Sequence, residues 1–228
     1  MKIATLIFSG GLASSTLLYK LIQEDYEEIH ALSFDYGQRH KRELVAAKAV
    51  ILRTKEDCGT RIVHRIVDLS SIFSLISRTG HSLLDDSVQV PKGPYSKEAS
   101  PSTVVPGRNL IFLSVGATYC EAHQIPDLYY GAHKNDQLVY PDCRSEFIDA
   151  AKITIERSSA WSPVRLVAPF EGLEKSDVVR LGLKLNVPYE LTWSCYEGGQ
   201  KPCGKCPTCI ERIEAFSANG ALDPLATR

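Results

Sequence analysis

Apolar, partly β-branched runs alternate with helical patterns in the first third of the chain, and this alternation constrains the fold most. Residues 3–8 predict a buried strand, and leucines at helical spacing follow over 14–21. A second strand (29–34), a second helix (43–52) and a third strand (61–67) continue the pattern. This β-α-β-α-β order predicts an α/β fold with a doubly wound, Rossmann-like parallel sheet.

Residues 81–103 interrupt the alternation. The run HSLLDDSVQVPKGPYSKEASPST contains three prolines, mixed charge and little periodicity. A long irregular segment of this kind is typical either of a mobile loop or lid over a site, or of a disordered surface insertion. The sequence does not separate these two interpretations.

Helical and strand patterns resume after this segment. Helices are predicted at 109–123, from about 143 to 158, and at 175–181, with one strand at 128–131. The main domain is expected to cover residues 1–188, and a smaller C-terminal region residues 189–228.

Size and charge exclude several classes of protein. The chain has 228 residues, enough for one large α/β domain with an appendage. Its 26 basic and 27 acidic residues give a net charge of -1, so neither nucleic acid nor an anionic membrane is an expected partner. No apolar run is long enough to span a bilayer, and MKIATLIFSG is too short for a signal peptide. A cytoplasmic location is expected.

Four cysteines near the C-terminus have the spacing of a metal site. They form the pattern C-x7-C-x2-C-x2-C and are Cys195, Cys203, Cys206 and Cys209. Four thiolates suit one tetrahedral Zn²⁺ and leave no open position for water, so a structural zinc is expected. The remaining cysteines, Cys58, Cys120 and Cys143, are expected to be thiols in a reducing compartment.

The loop between the first strand and the first helix is suited to bind phosphate. It contains Ser9, Gly10 and Gly11, and the following turn adds the hydroxyls of Ser14, Ser15 and Thr16. Backbone N–H groups at a helix N-terminus attract anions, and glycines allow a phosphate to approach closely. Neither G-x-x-x-x-G-K-[ST] nor G-x-G-x-x-G is present, which argues against P-loop and dinucleotide-binding proteins.

This loop, SGGLASST, resembles the SGG-x-DS loop of the N-type ATP pyrophosphatases. Five further runs follow in order: FDYGQRH (34–40), VPGRN (105–109), GAHKND (131–136), YPDCRSEF (140–147) and TWSCYEGGQKPCGKCPTC (192–209). Together the six runs resemble the QueC family of 7-cyano-7-deazaguanine synthases over nearly the whole chain. The resemblance implies the adenine nucleotide alpha hydrolase-like form of the α/β fold.

The resemblance also implies a reaction and its ligands. 7-Carboxy-7-deazaguanine, ammonia and two ATP molecules with Mg²⁺ would give the nitrile 7-cyano-7-deazaguanine, in queuosine and deazapurine biosynthesis. Adenylation turns a carboxylate oxygen into a leaving group, so ammonia can form an amide. A second adenylation of the amide oxygen yields the nitrile. The protein then acts by positioning and electrostatics, without a covalent nucleophile.

The family motifs further imply which residues form the site. ATP is expected at Phe8, Ser9, Gly10, Gly11, Leu12, Ser14, Ser15, Thr16, Ser33, Phe34, Gln38 and Arg39. The deazaguanine is expected at His133, Asp136, Asp142 and Arg144. The expected catalytic positions are Ala13, Ser14, Arg108 and Lys175.

Structural roles remain open for several of these residues. Asp142 is expected to accept hydrogen bonds from the guanine-like edge of the substrate, and Arg144 to bind the substrate carboxylate. Each of them equally suits a role in capping the next helix. Arg39 also suits a residue that binds backbone at a helix start. Trp193 is expected to be an aromatic residue of the core, whereas Tyr196 is expected near substrate or a subunit partner.

One position departs from the family pattern. Ala13 stands where the resemblance implies an aspartate that helps to hold Mg²⁺ on the pyrophosphate. The surrounding loop is intact, which favours a change made to trap a ligand. A natural variant with altered chemistry is the alternative.

Two other functions remain open at this point. An adenylated deazaguanine passed to another amine, such as a protein N-terminus, would suit a QueC-like ligase of antiviral defence. A catalytically inactive module that binds nucleotide or deazaguanine would also account for Ala13. In each case a homodimer is expected.

Overall fold

The computed structural model describes residues 1–76, 80–96 and 100–226. Its centre is a five-stranded parallel sheet in the order β3-β2-β1-β4-β5. The strands are β1 (Ile3–Ile7), β2 (Glu28–Asp35), β3 (Arg61–Asp68), β4 (Asp127–Tyr129) and β5 (Arg165–Val167). The prediction of a doubly wound parallel α/β sheet is confirmed.

Seven α-helices connect and cover these strands in the described parts of the chain. They are α1 (Leu12–Gln23), α2 (Arg42–Asp57), α3 (Ser70–Phe73), α4 (Arg108–Ala122), α5 (Ser145–Ser158), α6 (Lys175–Lys184) and α7 (Pro207–Ser217). Short 3-10 turns lie at Ser100–Thr103, Lys134–Leu138, Pro141–Cys143 and Tyr189–Leu191.

The alternation of side chains along β1 places one hydrophobic core on each face of the sheet. Leu6 and Phe8 pack in the core that α1, α2, α6 and α7 cover. Ile7 packs in the core that α4 and α5 cover. Since successive strand residues point to opposite faces, a single apolar run supplies both cores.

The strand order creates a crevice next to β1. Ile7 of β1 is opposite Leu32 of β2, and Leu6 is opposite Tyr129 of β4. The chain runs from β1 to β2 on one side and returns to β4 on the other. Ligands of open parallel sheets bind at such a reversal, beyond the carboxyl ends of the strands.

Several element boundaries differ from the sequence predictions. Strand β5 has three residues, and helix α7 begins inside the cysteine-rich tail, so neither has a recognisable periodic pattern. Helix α5 begins at Ser145 rather than near 143, since Pro141–Cys143 forms a separate turn and Arg144 is extended. Helix α6 continues through Gly182 to Lys184.

The segment 80–96 is tied to the body of the protein. Leu83 is fully buried, and Arg39 donates hydrogen bonds to Asp86 Oδ1 and to the Asp85 carbonyl, each at 2.9 Å. The Gly93 N–H donates to the Lys205 carbonyl at 2.8 Å. The segment therefore connects the loop after β2 to the cysteine-rich tail; residues 97–99 of the predicted lid lie outside the described residues.

The C-terminal tail packs on the core of α1 and α6. Phe216 of α7 belongs to that core. The buried Arg212 donates from Nε to both carboxylate oxygens of Asp223, at 3.0 and 2.9 Å, and joins α7 to the end of the described chain. The division at residue 188 stays a prediction. Among the helices of the described ranges, none is long and apolar enough to cross a membrane.

Candidate functional site

A cavity of about 240 Å³ opens at the carboxyl ends of β1, β2 and β4. The loop after β1 forms one wall, and the residues after β4 form another. The first turn of α4 and the cysteine-rich tail complete the lining. The cavity therefore lies at the crevice where the strand order reverses.

The glycine loop, residues 9–14, is shaped by a close approach to α2. Gly10 has a φ of +76°, and a Cβ there would lie 2.4 Å from the Ala47 nitrogen, so only glycine fits. Helix α1 begins at Leu12, and no side chain caps its first turn. The Ser9 and Ser14 hydroxyls, 3.1 Å apart, lie in the cavity lining. Uncapped N–H groups and hydroxyls together form an anion cradle.

The structure brings six of the twelve predicted nucleotide residues to this cavity, together with the predicted catalytic position Ala13. The six in its lining are Phe8, Ser9, Gly11, Leu12, Ser14 and Phe34. Ala13 lies where the glycine loop meets the segment after β4, because a Cβ on Gly131 would lie 3.7 Å from the Ala13 carbonyl carbon.

Five predicted nucleotide residues besides Gly10 lie outside the lining. Thr16 faces the opposite side of α1, where its hydroxyl meets the Tyr189 hydroxyl at 2.7 Å. Ser33 donates to the Phe8 carbonyl at 2.6 Å, and Gln38 donates to the Phe34 carbonyl at 3.0 Å. Ser15 is fully buried, and Arg39 holds the 80–96 segment. These side chains shape the loops around the cavity.

An aromatic wall borders the end of β2. Phe34 and Phe112 are stacked with ring centroids 4.3 Å apart and an angle of 11° between the ring planes. Tyr36 lies 5.5 Å from Phe112 in a tilted arrangement. Flat apolar surfaces of this kind suit planar heterocycles. Sequence analysis missed Phe112, since one aromatic residue at helical spacing in α4 resembles an ordinary core residue.

Two cationic side chains reach the cavity. The Lys175 Nζ at the start of α6 forms an ion pair with Glu211 of α7, and both side chains are largely buried. Burial lowers the pKa of Lys175, but Glu211 and Asp136 more than compensate, so the net shift is upward and the amine stays charged. Arg108 begins α4, with its guanidinium 5.6 Å from the Tyr140 ring centroid.

Three tyrosines from distant parts of the chain meet beside Arg108. The Tyr140 hydroxyl lies 2.5 Å from that of Tyr196 and 3.4 Å from that of Tyr95. Burial raises the pKa of Tyr95 and of Tyr196 well above the usual value, so both remain phenols. Tyr95 belongs to the 80–96 segment, and all three line the cavity. Only Tyr196 had been predicted from sequence.

The predicted deazaguanine residues separate into two pairs. His133 and Asp136 line the cavity, and the His133 Nε2 lies 3.5 Å from Asp136 Oδ2. Burial lowers the pKa of His133, which favours the neutral imidazole. Asp142 accepts a hydrogen bond from the Asn109 N–H at 3.0 Å and so caps α4. Arg144 is exposed and donates to the Gln137 carbonyl at 3.2 Å.

The four tail cysteines converge on one point. Their sulfur atoms all lie within 4.8 Å of one another, a separation that suits ligands of one metal ion. Hydrogen bonds among the sulfurs lower the pKa of Cys206 and raise the pKa values of Cys195 and Cys209, so one thiolate is favoured and stabilised by its neighbouring thiols. The Cys203 N–H donates to Cys195 Sγ at 3.3 Å, and such bonds stabilise bound thiolates. The cluster thus has the composition and the geometry of a closed metal centre.

The chain matches one family of known proteins over most of its length. The family described as "Queuosine biosynthesis protein QueC" matches residues 3–220. A 7-cyano-7-deazaguanine synthase from Archaeoglobus fulgidus is 48% identical over 97% of this chain and 89% of its own length. The synthase from Hahella chejuensis is 45% identical over 98% of this chain and 92% of its own length.

Two solved structures share the fold. The U34-tRNA thiolase NcsA from Methanococcus maripaludis, solved with its [4Fe-4S] cluster, has a TM-score of 0.50 and 14% identity, covering 82% of this chain and 58% of that one. A 4-thiouridine synthetase, solved with RNA and ATP, has a TM-score of 0.50 and 15% identity, covering 93% of this chain and 50% of that one. With the family match over nearly its full length, the chain belongs to the QueC family of queuosine biosynthesis proteins.

Proposed function

We propose that this chain converts 7-carboxy-7-deazaguanine and ammonia to 7-cyano-7-deazaguanine, with two ATP molecules cleaved to AMP and pyrophosphate. The observation that carries the proposal is the convergence of three features on one cavity. These are the uncapped helix start after the glycine loop, the aromatic wall of Phe34 and Phe112, and the cations Arg108 and Lys175. The name of the two relatives, 7-cyano-7-deazaguanine synthase, agrees with this product.

The glycine loop is placed to stabilise the negative charge that develops on pyrophosphate during adenylation. A carboxylate oxygen forms a bond to the α-phosphorus of ATP while the bond between the α- and β-phosphates breaks, and pyrophosphate leaves. Loop N–H groups, the Ser9 and Ser14 hydroxyls and the Lys175 amine stabilise this negative charge. Phe34 and Phe112 hold a planar ring beside them.

The chemistry uses no covalent enzyme intermediate. Cys143 lies in the cavity lining, yet burial raises its pKa well above the usual value, so its thiol is not a nucleophile. The neutral imidazole of His133 instead suits accepting a proton as ammonia attacks. Positioning and electrostatics therefore supply the rate acceleration.

Zinc is the metal we assign to the tail. Four thiolate sulfurs within 4.8 Å fit one tetrahedral ion with each ligand about 2.3 Å away. An iron–sulfur cluster would place each cysteine on a different iron and hold the sulfurs farther apart. The four cysteines fill every position around a zinc ion, so the site is structural.

The residue at position 13 reduces the activity of this chain. Mg²⁺ on ATP needs hard oxygen ligands. In the described lining of the cavity the carboxylates are Glu43, which accepts from Gln38, and Asp136, which faces His133. Ala13 adds none. A protein that binds nucleotide or deazaguanine and turns over poorly is therefore the second candidate function.

Product analysis tests the proposal. The Ala13→Asp form is incubated with ATP, 7-carboxy-7-deazaguanine and nitrogen-15 ammonia, and the products are analysed by mass spectrometry. We expect the nitrile with the heavy nitrogen, together with AMP. Formation of the amide alone, or of a conjugate to another amine, would assign a different end point to the same adenylation.

A further inference from the structure

The tyrosine-lined end of the cavity contains Arg108, a cation for which the described residues supply no ion-pair partner. The Arg108 guanidinium lies 5.6 Å from the Tyr140 ring centroid and 6.0 Å from that of Tyr36. Within residues 1–76, 80–96 and 100–226, no aspartate or glutamate forms an ion pair with it. The aromatic rings attract a cation without neutralising it. The Asp142 carboxylate also attracts the guanidinium, but it lies beyond ion-pair distance and accepts a hydrogen bond from the Asn109 N–H.

The other basic groups near the cavity already have partners. Lys175 is paired with Glu211, and Arg39 with Asp86 Oδ1 at 2.9 Å. Arg144 is exposed and donates to the Gln137 carbonyl at 3.2 Å. Among the described residues that line the cavity, Arg108 is therefore the one lysine or arginine without an ion-pair partner.

A partly buried guanidinium without a counter-ion favours an anionic ligand. Removing a charge from water is costly unless an opposite charge and hydrogen bonds replace the solvent. A planar guanidinium offers parallel N–H donors that match a carboxylate in a bidentate arrangement. The surrounding aromatic side chains suit a ligand whose carboxylate is attached to a flat ring.

We propose that Arg108 binds the carboxylate of a planar heteroaromatic acid and thereby selects the acid over its neutral product. This inference rests on the proposed function and names the residue that recognises the reacting group. From the sequence, Arg144 was a candidate for that role, with capping of the next helix as the equal alternative. The ATP phosphates have separate donors in the glycine loop, whereas the recorded aromatic contacts of Arg108 are with Tyr36 and Tyr140.

The selection follows the course of the reaction. The substrate carries a negative charge on its carboxylate, and one of those oxygens forms the bond to the α-phosphorus as pyrophosphate leaves. Both oxygens have gone with AMP by the time the nitrile forms, so the product offers Arg108 no anion. We therefore expect the same residue that holds the substrate to hold the product weakly.

Calorimetric binding tests this role on the chain as it stands, because Ala13 suppresses turnover. We expect 7-carboxy-7-deazaguanine to bind about 10- to 100-fold more tightly than the 7-cyano compound, as for a charge-assisted hydrogen-bonded pair. Arg108→Gln should remove this preference, and Arg108→Lys should retain part of it. The control Arg144→Gln should leave the preference unchanged.

A non-hydrolysable ATP analogue, measured against each variant, shows that the variants are folded and separates the possible anions. A carboxylate preference that survives in both Arg108→Gln and Arg108→Met overturns the assignment. Loss of analogue binding with the preference intact assigns Arg108 to the phosphates and also overturns it. If the unchanged chain binds neither deazaguanine, the proposed function itself fails, and this inference fails with it.

Discussion

Ala13 lies in the cavity lining, one residue before Ser14 and against the backbone next to Gly131. A longer side chain there would extend from the first turn of α1 at the carboxyl end of β1. A carboxylate at this point would stand near the phosphates held by the loop and would add a hard oxygen ligand for Mg²⁺.

Restoring the acid is expected to raise the rate. Ala13→Asp should increase pyrophosphate release by on the order of 10²–10⁴, the effect of one group that stabilises the transition state. Affinity for ATP should change much less, because the glycine loop is the same in both forms. Pyrophosphate release measured side by side, with Ala13→Asn as the uncharged control, checks this. Equally fast release by all three forms would show that position 13 lies outside the metal site.

Contiguous motifs allowed many site residues to be predicted from sequence. Ser9 and Arg108 each lie in a short run whose pattern points to an anion, whereas Lys175 was expected from the family resemblance alone. The structure places all three in the cavity lining. A motif does not determine the direction in which each of its side chains points. Arg144 lies in YPDCRSEF, yet its side chain turns to the Gln137 carbonyl because the residue stands at the exposed start of α5.

At the scale of elements, α1 and α6 pack through a glycine. A Cβ on Gly182 would lie 1.8 Å from the Tyr189 hydroxyl and 2.9 Å from Thr16 Oγ1. That hydroxyl is hydrogen bonded to Thr16 at 2.7 Å, and Tyr189 is almost fully buried. The contact holds the back of the glycine-loop helix, opposite the cavity.

Gly182→Ala should destabilise the protein. The added methyl displaces a rigid buried ring and separates the Thr16–Tyr189 pair, for an expected loss of about 1–3 kcal/mol in the free energy of unfolding. Urea denaturation measures it. Gly59→Ala is the matched control, since a Cβ there meets nothing within 4 Å. Equal stability of the two variants would mean that the helix interface adapts easily.

Long periodic elements were predictable, and short or composite ones were not. Helices α1, α2 and α4 carry enough turns for their apolar spacing to be seen. Strand β5 spans only Arg165–Val167, and α7 begins at Pro207 within a metal-binding pattern. Both elements are stabilised by packing against residues that are distant in sequence, in the sheet and in the tail. Local sequence patterns do not reveal such packing.

At the scale of the whole molecule, the four-cysteine cluster, the 80–96 segment and the cavity form one connected structure. The Gly93 N–H donates to the Lys205 carbonyl at 2.8 Å, between two of the cysteines, and Lys92 is ion paired with Glu197. Tyr95 contacts Tyr196, with their hydroxyls 3.1 Å apart, directly after Cys195. The segment therefore rests on the folded tail.

Removing the metal should loosen both parts together. We expect one zinc per chain by elemental analysis, lost in Cys203→Ser but retained in the control Cys58→Ser. Loss of about 3 kcal/mol or more would lower the unfolding temperature by roughly 6–12 °C. Hydrogen exchange should speed up at Gly93 while β1 stays protected. A metal-depleted chain with unchanged exchange at Gly93 would show that the tail holds its shape without metal.

The fold class was predictable because it follows from the order of elements, which the first three strands already establish. Contacts between residues far apart in sequence were not predictable. Tyr95, Tyr140 and Tyr196, for example, are brought together only by the complete topology. The tyrosine-lined side of the cavity is thus the part that the sequence described least.

Isotope transfer tests the central claim, adenylation of a carboxylate in this cavity, most directly. The Ala13→Asp form is given ATP, ammonia and 7-carboxy-7-deazaguanine labelled with oxygen-18 in its carboxylate, and AMP is analysed by mass spectrometry. Since each carboxylate oxygen attacks an α-phosphorus and leaves with it, we expect one heavy oxygen in every AMP formed with product. Unlabelled AMP, or label in the pyrophosphate, would contradict the account.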